Sequence, residues 1–163
     1  MAERRRRAGD GVRLPVYLEG DHCTVEGADG LLVGLGFNAY LDQDRRRELG
    51  EDDEALVLPG VFHTRVTGTA FHDDVLSLDA FSAGRSVQIQ PEHSNQQDRN
   101  ALAVIGSGKK VGYLPRPVAE ALAPAGTRSG QALVIKEWSV NGVRQGISVL
   151  GSMQVRLDFT TSR

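Results

Sequence analysis

The sequence predicts a mainly β protein: a small β barrel with one short helix in the second half, preceded by an N-terminal extension compatible with a small β meander. Three observations predict it. Beyond Pro59-Gly60 the chain consists of short runs of alternating apolar and polar residues separated by turn residues, the pattern of half-buried strands. Only one segment, Pro115 to Ala123, has helical spacing, and nowhere does an apolar run approach the roughly 20 residues that cross a bilayer.

The elements follow in order. Residues 1–11 open with Arg4, Arg5, Arg6 and Arg7 and end in Gly-Asp-Gly, a polar stretch without periodicity that is expected to be a disordered basic tail. Val12, Leu14, Val16 and Leu18 alternate as in a strand, and His22 to Val25 and Leu31 to Phe37 follow after Gly-rich turns. From Asn38 to Glu54 the chain is strongly charged, with room for a short helix around Asp44 to Arg47; Glu51 to Glu54 and Pro59-Gly60 read as a linker. Residues 12–59 are therefore an extension plus acidic linker, and residues 60–163 a separate domain.

In that domain the expected strands are Phe62 to Thr69, Ser86 to Gln90, Ala101 to Ile105, Lys110 to Tyr113, Gln131 to Trp138 and Gly146 to Val149, with Gln154 to Phe159 at the end. Ile105-Gly106-Ser107-Gly108-Lys109 is a hairpin turn by composition. In the helix, Pro117 suits the first turn, Val118, Ala121 and Leu122 form an apolar stripe, and Pro124 with Gly126 ends it. Five or six barrel strands with one short helix correspond to the OB type. The inward members of the alternation name a core: Val66, Val87, Ile89, Leu102, Val104, Val111, Leu122, Val134, Ile147 and Val149.

Composition limits the function. The formal net charge is -2, but residues 1–60 carry 8 Lys or Arg against 13 Asp or Glu, whereas residues 61–163 carry 11 against 8. The second half is mildly basic, which fits a short nucleic-acid site with few phosphate contacts better than a long duplex footprint. Cys23 has no partner for a disulfide and reads as a small buried hydrophobe. His22, His63, His72 and His93 have no zinc-ligand spacing. There is no phosphate-binding Gly-rich loop with a lysine, no paired metal-ligand carboxylates and no nucleophile with a base. The expectation is a soluble, cytoplasmic protein without cofactor, metal or membrane contact, and not an enzyme.

Four pieces in fixed order carry a resemblance: Val66-Thr67-Gly68; the run from Pro91-Glu92-His93-Ser94-Asn95 through Asp98-Arg99-Asn100 to Val104; Val111-Gly112-Tyr113-Leu114-Pro115; and Ala119 to Ala123. Together they resemble the HIRAN domain, an OB-like barrel found in chromatin-remodelling helicases and as free-standing bacterial proteins. The resemblance spans about sixty residues. It implies a module that captures single-stranded DNA at its 3′ end, in a DNA repair or processing context, with a helicase or nuclease as a partner protein. By position it makes Phe71 a base-stacking aromatic, with Ala70 where well-studied members carry arginine and Gln97 where they carry tyrosine.

The same residues have a physical reading of their own. Asn95 and Asp98 sit in a polar loop between strands, where short polar side chains fold back on the backbone, yet Asp98 also suits a terminal sugar hydroxyl and Asn95 a phosphate or base edge. Phe71 is either a stacking platform or a core residue, beside a His72 that is a second stacking surface or solvated. Tyr113 reads as core. Lys109, Lys110 and Arg116 flank the strand and turn as phosphate contacts or as ordinary surface cations. The candidate interface is thus Phe71, His72, Asn95, Asp98, Lys109, Lys110 and Arg116. The other function class the sequence admits is a protein-interaction module without direct nucleic-acid binding, in which the acidic first part supplies the contact surface.

Overall fold

The computed structural model describes residues 13–19, 22–26, 32–35, 39–41, 61–123, 129–153 and 156–160. The basic tail, the charged stretch after residue 41 and the acidic linker lie outside the described residues. Two sheets form. The smaller contains β1 (Arg13–Glu19), β2 (His22–Glu26), β3 (Leu32–Leu35) and the final strand β11 (Arg156–Thr160), in the order β11-β1-β2-β3. The meander expected from the alternation is present. The C-terminal strand is added to it parallel to β1, with Arg13 opposite Arg156 and Val16 opposite Phe159.

The larger sheet runs β4 (Ala39–Leu41), β5 (Val61–Arg65), β10 (Val143–Ser152), β9 (Gly130–Val140), β6 (Ser86–Pro91), β7 (Leu102–Gly106), β8 (Lys109–Tyr113). Every pairing in it is antiparallel. Apart from β4, which adds to the edge of β5, its six strands curl into a half-barrel, the OB-like architecture. The gap between first and last strand is bridged where Thr67 N–H donates to Tyr113 O at 2.7 Å and Tyr113 N–H donates to Thr67 O at 2.9 Å. Gly112 permits this closure. A Cβ there would lie 2.3 Å from Thr67 O and 2.9 Å from Val66 Cγ1, distances at which one chain has to move away.

Inside the curl lies the main core. All ten residues named from the sequence belong to it, joined by Phe62, Leu76, Phe81, Leu114 and Val118. Burial of each Val, Leu, Ile or Phe side chain contributes about 1.5–3 kcal/mol, so this cluster is the main driving force for the barrel. Helix α2 (Arg116–Leu122) supplies Val118, Ala119 and Leu122 to it, with proline at the first turn as expected. A second cluster joins the sheets: Leu14, Val16, Cys23 and Val25 of the small sheet pack with Val61 and Leu150 from the outside of the barrel. Cys23 is buried, as expected of a small hydrophobe.

One region departs from the sequence reading. Between β5 and β6, where the sequence reading extends a strand to Thr69 and names no further element before Ser86, the chain forms a 3-10 turn (Thr69–His72), a one-turn helix α1 (Asp73–Leu76) and a second 3-10 turn (Asp79–Phe81). Leu76 and Phe81 point into the core. Their spacing spans two different short helices, so no single period revealed them.

Candidate nucleic-acid interface

The site is built on the outer side of β8 and on the segments that meet its ends. Register shows how the side chains come together. Val104 opposes Gly112 but Ile105 opposes Lys110, so Val111 is an extra residue in β8, a bulge. Without it Lys110 and Tyr113, three residues apart, would face opposite sides of the strand. With it they share the outer face, and Lys110 Nζ donates to the Tyr113 hydroxyl at 2.7 Å. Tyr113 is therefore half-buried in a polar network and not a core residue.

Glu92, at the exit of β6, completes this network. Its Oε2 accepts from Lys110 Nζ at 2.9 Å and its Oε1 from the Tyr113 hydroxyl at 2.9 Å. Partial burial pushes the Glu92 carboxyl up, but hydrogen bonds from Lys110, Tyr113 and Asn95 outweigh it and hold the group below the usual carboxylate range. Lys110 is held above its ordinary value by the hydrogen bonds to Tyr113 and Glu92. The lysine is thus a neutralised pair with Glu92 more than a lone phosphate contact.

The loop after Glu92 is braced by its own side chains. Asn95 Oδ1 accepts from the backbone N–H groups of Gln97 at 2.9 Å and Asp98 at 3.0 Å, and its amide donates to Glu92 Oε1 at 3.3 Å. Both ends of that amide are engaged within the protein. Asp98 Oδ1 accepts from Asn100 N–H at 2.9 Å, while Oδ2 lies 3.8 Å from Arg116 Nε. Arg116, exposed at the start of α2, also donates to Gln97 O at 2.9 Å. A cation therefore stands at the tip of the loop beside Asp98, supplied by α2 and not by the residue before Phe71.

Phe71 stands on the turn that follows the Thr67–Tyr113 bridge. Gly68 starts this turn with φ of 77°, a left-handed conformation that costs a side-chain-bearing residue energy, and its carbonyl accepts the Phe71 N–H at 3.1 Å. The Phe71 side chain is 86% exposed. That decides against the core reading, since burying a phenylalanine is worth kilocalories and this one buries nothing. His72 is half-buried beside it, and Lys109 is exposed at the β7–β8 turn.

The expected residues are therefore arranged along one edge of the barrel: Phe71 and His72 at the end of β5, Lys110 on β8, Asn95 and Asp98 in the loop, and Arg116 at α2. Lys109 lies at the far end of β8. Sequence reasoning missed Glu92, because its partner Lys110 comes into reach only through the β8 bulge. It also missed Arg144 and Glu137. Arg144 Nε donates to Glu137 Oε1 at 2.9 Å, and Ala83 N–H donates to Glu137 Oε2 at 2.9 Å. The hydrogen bond from Ala83, with that from Arg144, holds the Glu137 carboxyl below its ordinary value against partial burial. Among the described residues no group of three or more His, Cys, Asp or Glu side chains is placed to hold a metal ion, and no helix is long and apolar enough to cross a membrane.

Comparison with known families decides what this edge belongs to. The model of the HIRAN domain matches residues 59–157, more than half of the chain. The chain belongs to the HIRAN family. The matched range begins just before β5 and ends within β11, so it takes in every residue of the candidate interface. Among solved structures it is similar to the crystal structure of the HIRAN domain of human HLTF, with 19% sequence identity and a TM-score of 0.43, over 60% of this chain and 77% of that one. No curated protein matches. HIRAN domains are known generally as DNA-binding modules, and membership supports nucleic-acid binding by this chain.

Proposed function

We propose that this HIRAN protein binds single-stranded DNA at its 3′ end and serves DNA repair or processing as a non-enzymatic module, alongside a helicase or nuclease that does the chemistry. The observation that carries the reading is Phe71, an aromatic ring 86% exposed on a turn tied to β8. A ring held out in water has a face available for a base, and stacking is worth about 1–3 kcal/mol per base. Asp98 supports the end preference. Its Oδ2 is only distantly paired with Arg116, so it can accept a hydrogen bond from a terminal sugar hydroxyl, which a continuous strand lacks. A phosphate on that hydroxyl would place two anions together.

The test is a polarisation titration with oligonucleotides ending in 3′-hydroxyl or 3′-phosphate, and with a circular single strand. The 3′-hydroxyl strand is expected to bind best. Phe71→Ala weakens every linear strand by the stacking contribution of about 1–3 kcal/mol without changing the melting temperature. Asp98→Ala removes the preference for a free hydroxyl; because Asp98 also braces Asn100, the melting temperature is followed in parallel. Equal binding of all three wild-type ligands, or none at millimolar concentration, overturns end capture and favours the protein-interaction class.

A further inference from the structure

We propose that Arg144, on β10 and remote from the interface in sequence, is a positioning residue that sets where Phe71 stands. The claim rests on the reading of Phe71 as the stacking platform. The segment carrying Phe71 consists of two 3-10 turns and one helical turn, and none of the three has a side-chain cap hydrogen bond. Single turns do not persist by themselves, since nucleating a helix costs more than one turn of hydrogen bonds returns. Phe71 contributes almost no burial to fix them.

They are fixed by the Thr67–Tyr113 bridge at their start, by the buried side chains of Thr69, Leu76 and Phe81, and by one guanidinium. Arg144 Nη1 donates to Leu76 O at 2.8 Å and to Leu78 O at 3.0 Å, and Nη2 donates to Ser82 Oγ at 3.0 Å. The first of these acceptors, Leu76 O, is at the C-terminal end of α1, where helix carbonyls have no partner within the helix. Arg144 Nε is in turn held by Glu137, whose second oxygen takes the Ala83 N–H at the end of the same segment. The Arg144 side chain is 13% exposed. One side chain thus ties the part of the excursion that follows Phe71, from Leu76 to Ser82, to the β9–β10 hairpin through donors in a fixed plane, a geometry that lysine does not reproduce.

The experiment uses the full chain and a 5′-fluorescein oligothymidylate with a free 3′-hydroxyl, together with amide hydrogen exchange over Thr69 to Ala83. In Arg144→Gln, exchange over this segment is expected to rise while β6 to β8 stay protected, and affinity to fall by about tenfold, a typical coupling between connected groups. Adding Arg144→Gln to Phe71→Ala should cost little more, because the arginine acts through the ring. Arg144→Lys should restore neither readout fully. Glu137→Gln is the milder second variant should Arg144→Gln fail to fold, and it should shift both readouts in the same direction. The inference is overturned if exchange over the segment is unchanged, or if Arg144→Gln weakens Phe71→Ala as strongly as it weakens wild type, which is the signature of a direct phosphate contact. If wild type does not bind the oligonucleotide, the binding proposal fails while the exchange data still decide whether Arg144 orders the segment.

Discussion

Replacing Gly112 with alanine should open the barrel, and the size of the effect follows from two distances. An added Cβ would meet Thr67 O at 2.3 Å and Val66 Cγ1 at 2.9 Å. The first neighbour is backbone, so relief requires the end of β5 to separate from β8. Overpacking of this kind costs about 1–3 kcal/mol. The same movement stretches the two hydrogen bonds between Thr67 and Tyr113, each worth about 1 kcal/mol net. A total of about 3–5 kcal/mol corresponds to a fall of about 6–20 °C in melting temperature for a chain of this size. Urea denaturation monitored by tryptophan fluorescence and far-ultraviolet circular dichroism measures it, with a shift in midpoint at constant slope expected. Gly34→Ala is the control, because nothing lies within 4 Å of a Cβ there. The strain also runs into Gly68 and the turn bearing Phe71, so DNA affinity should fall with stability. A Gly112→Ala protein within about 0.5 kcal/mol of wild type, the scatter of ordinary surface changes, refutes the closure argument.

Two further outcomes follow from the charges. Glu92 is held below the carboxylate range in the folded protein, so its contribution is present above the unfolded carboxylate value of about 4.3 and is lost as pH falls through the lower folded value; the stability gap between wild type and Glu92→Gln should be widest near neutral pH and close in acid, and a gap independent of pH contradicts the network. For the arginine run, deleting Met1 to Arg7 should make the log–log dependence of single-strand affinity on salt shallower by about 0.7 for each phosphate contact removed, and an unchanged slope excludes the tail from binding.

The architecture was legible where one physical rule governs a segment. Alternation located the barrel strands and nine of the ten named core residues, because a strand with one buried face has period two, and the tenth, Leu122, came from helical spacing. The helix at Arg116–Leu122 was legible from Pro117 and the stripe of Val118 and Leu122. What was not legible depends on pairing. The β8 bulge cannot be seen in Lys110 to Tyr113 alone, since it exists only against β7, and without it Glu92 has no reason to meet Lys110. Arg144 is an ordinary strand arginine in the sequence; the carbonyls it binds lie more than sixty residues away. Phe71 was balanced between platform and core because a single aromatic beside His72-Asp73-Asp74 carries no period. Its exposure comes from Gly68, which turns the chain outward as soon as the barrel is closed.

The two sheets cannot be treated as a binding module with a detachable extension. In β5, Val61 faces outward into the cluster with Leu14, Val16, Cys23 and Val25, while the next residue, Phe62, faces the barrel core. Leu150 on β10 faces outward with Val61, and its neighbour Val149 faces inward. These two strands are therefore buried on both faces, and stripping away the small sheet would return Val61 and Leu150 to water at about 1.5–3 kcal/mol each. That cost falls on β5 and β10 in particular. β5 runs on through Thr67 into the Gly68 turn, and β10 carries Arg144, so the strands that the small sheet covers are the one that leads into the Phe71 turn and the one that bonds to the segment after it. The outward faces of β7 and β8, with Lys110 and Tyr113, lie away from that cover. The small sheet thus covers one side of the barrel and stabilises β5 and β10, while no residue of β7 or β8 belongs to the cluster beneath it.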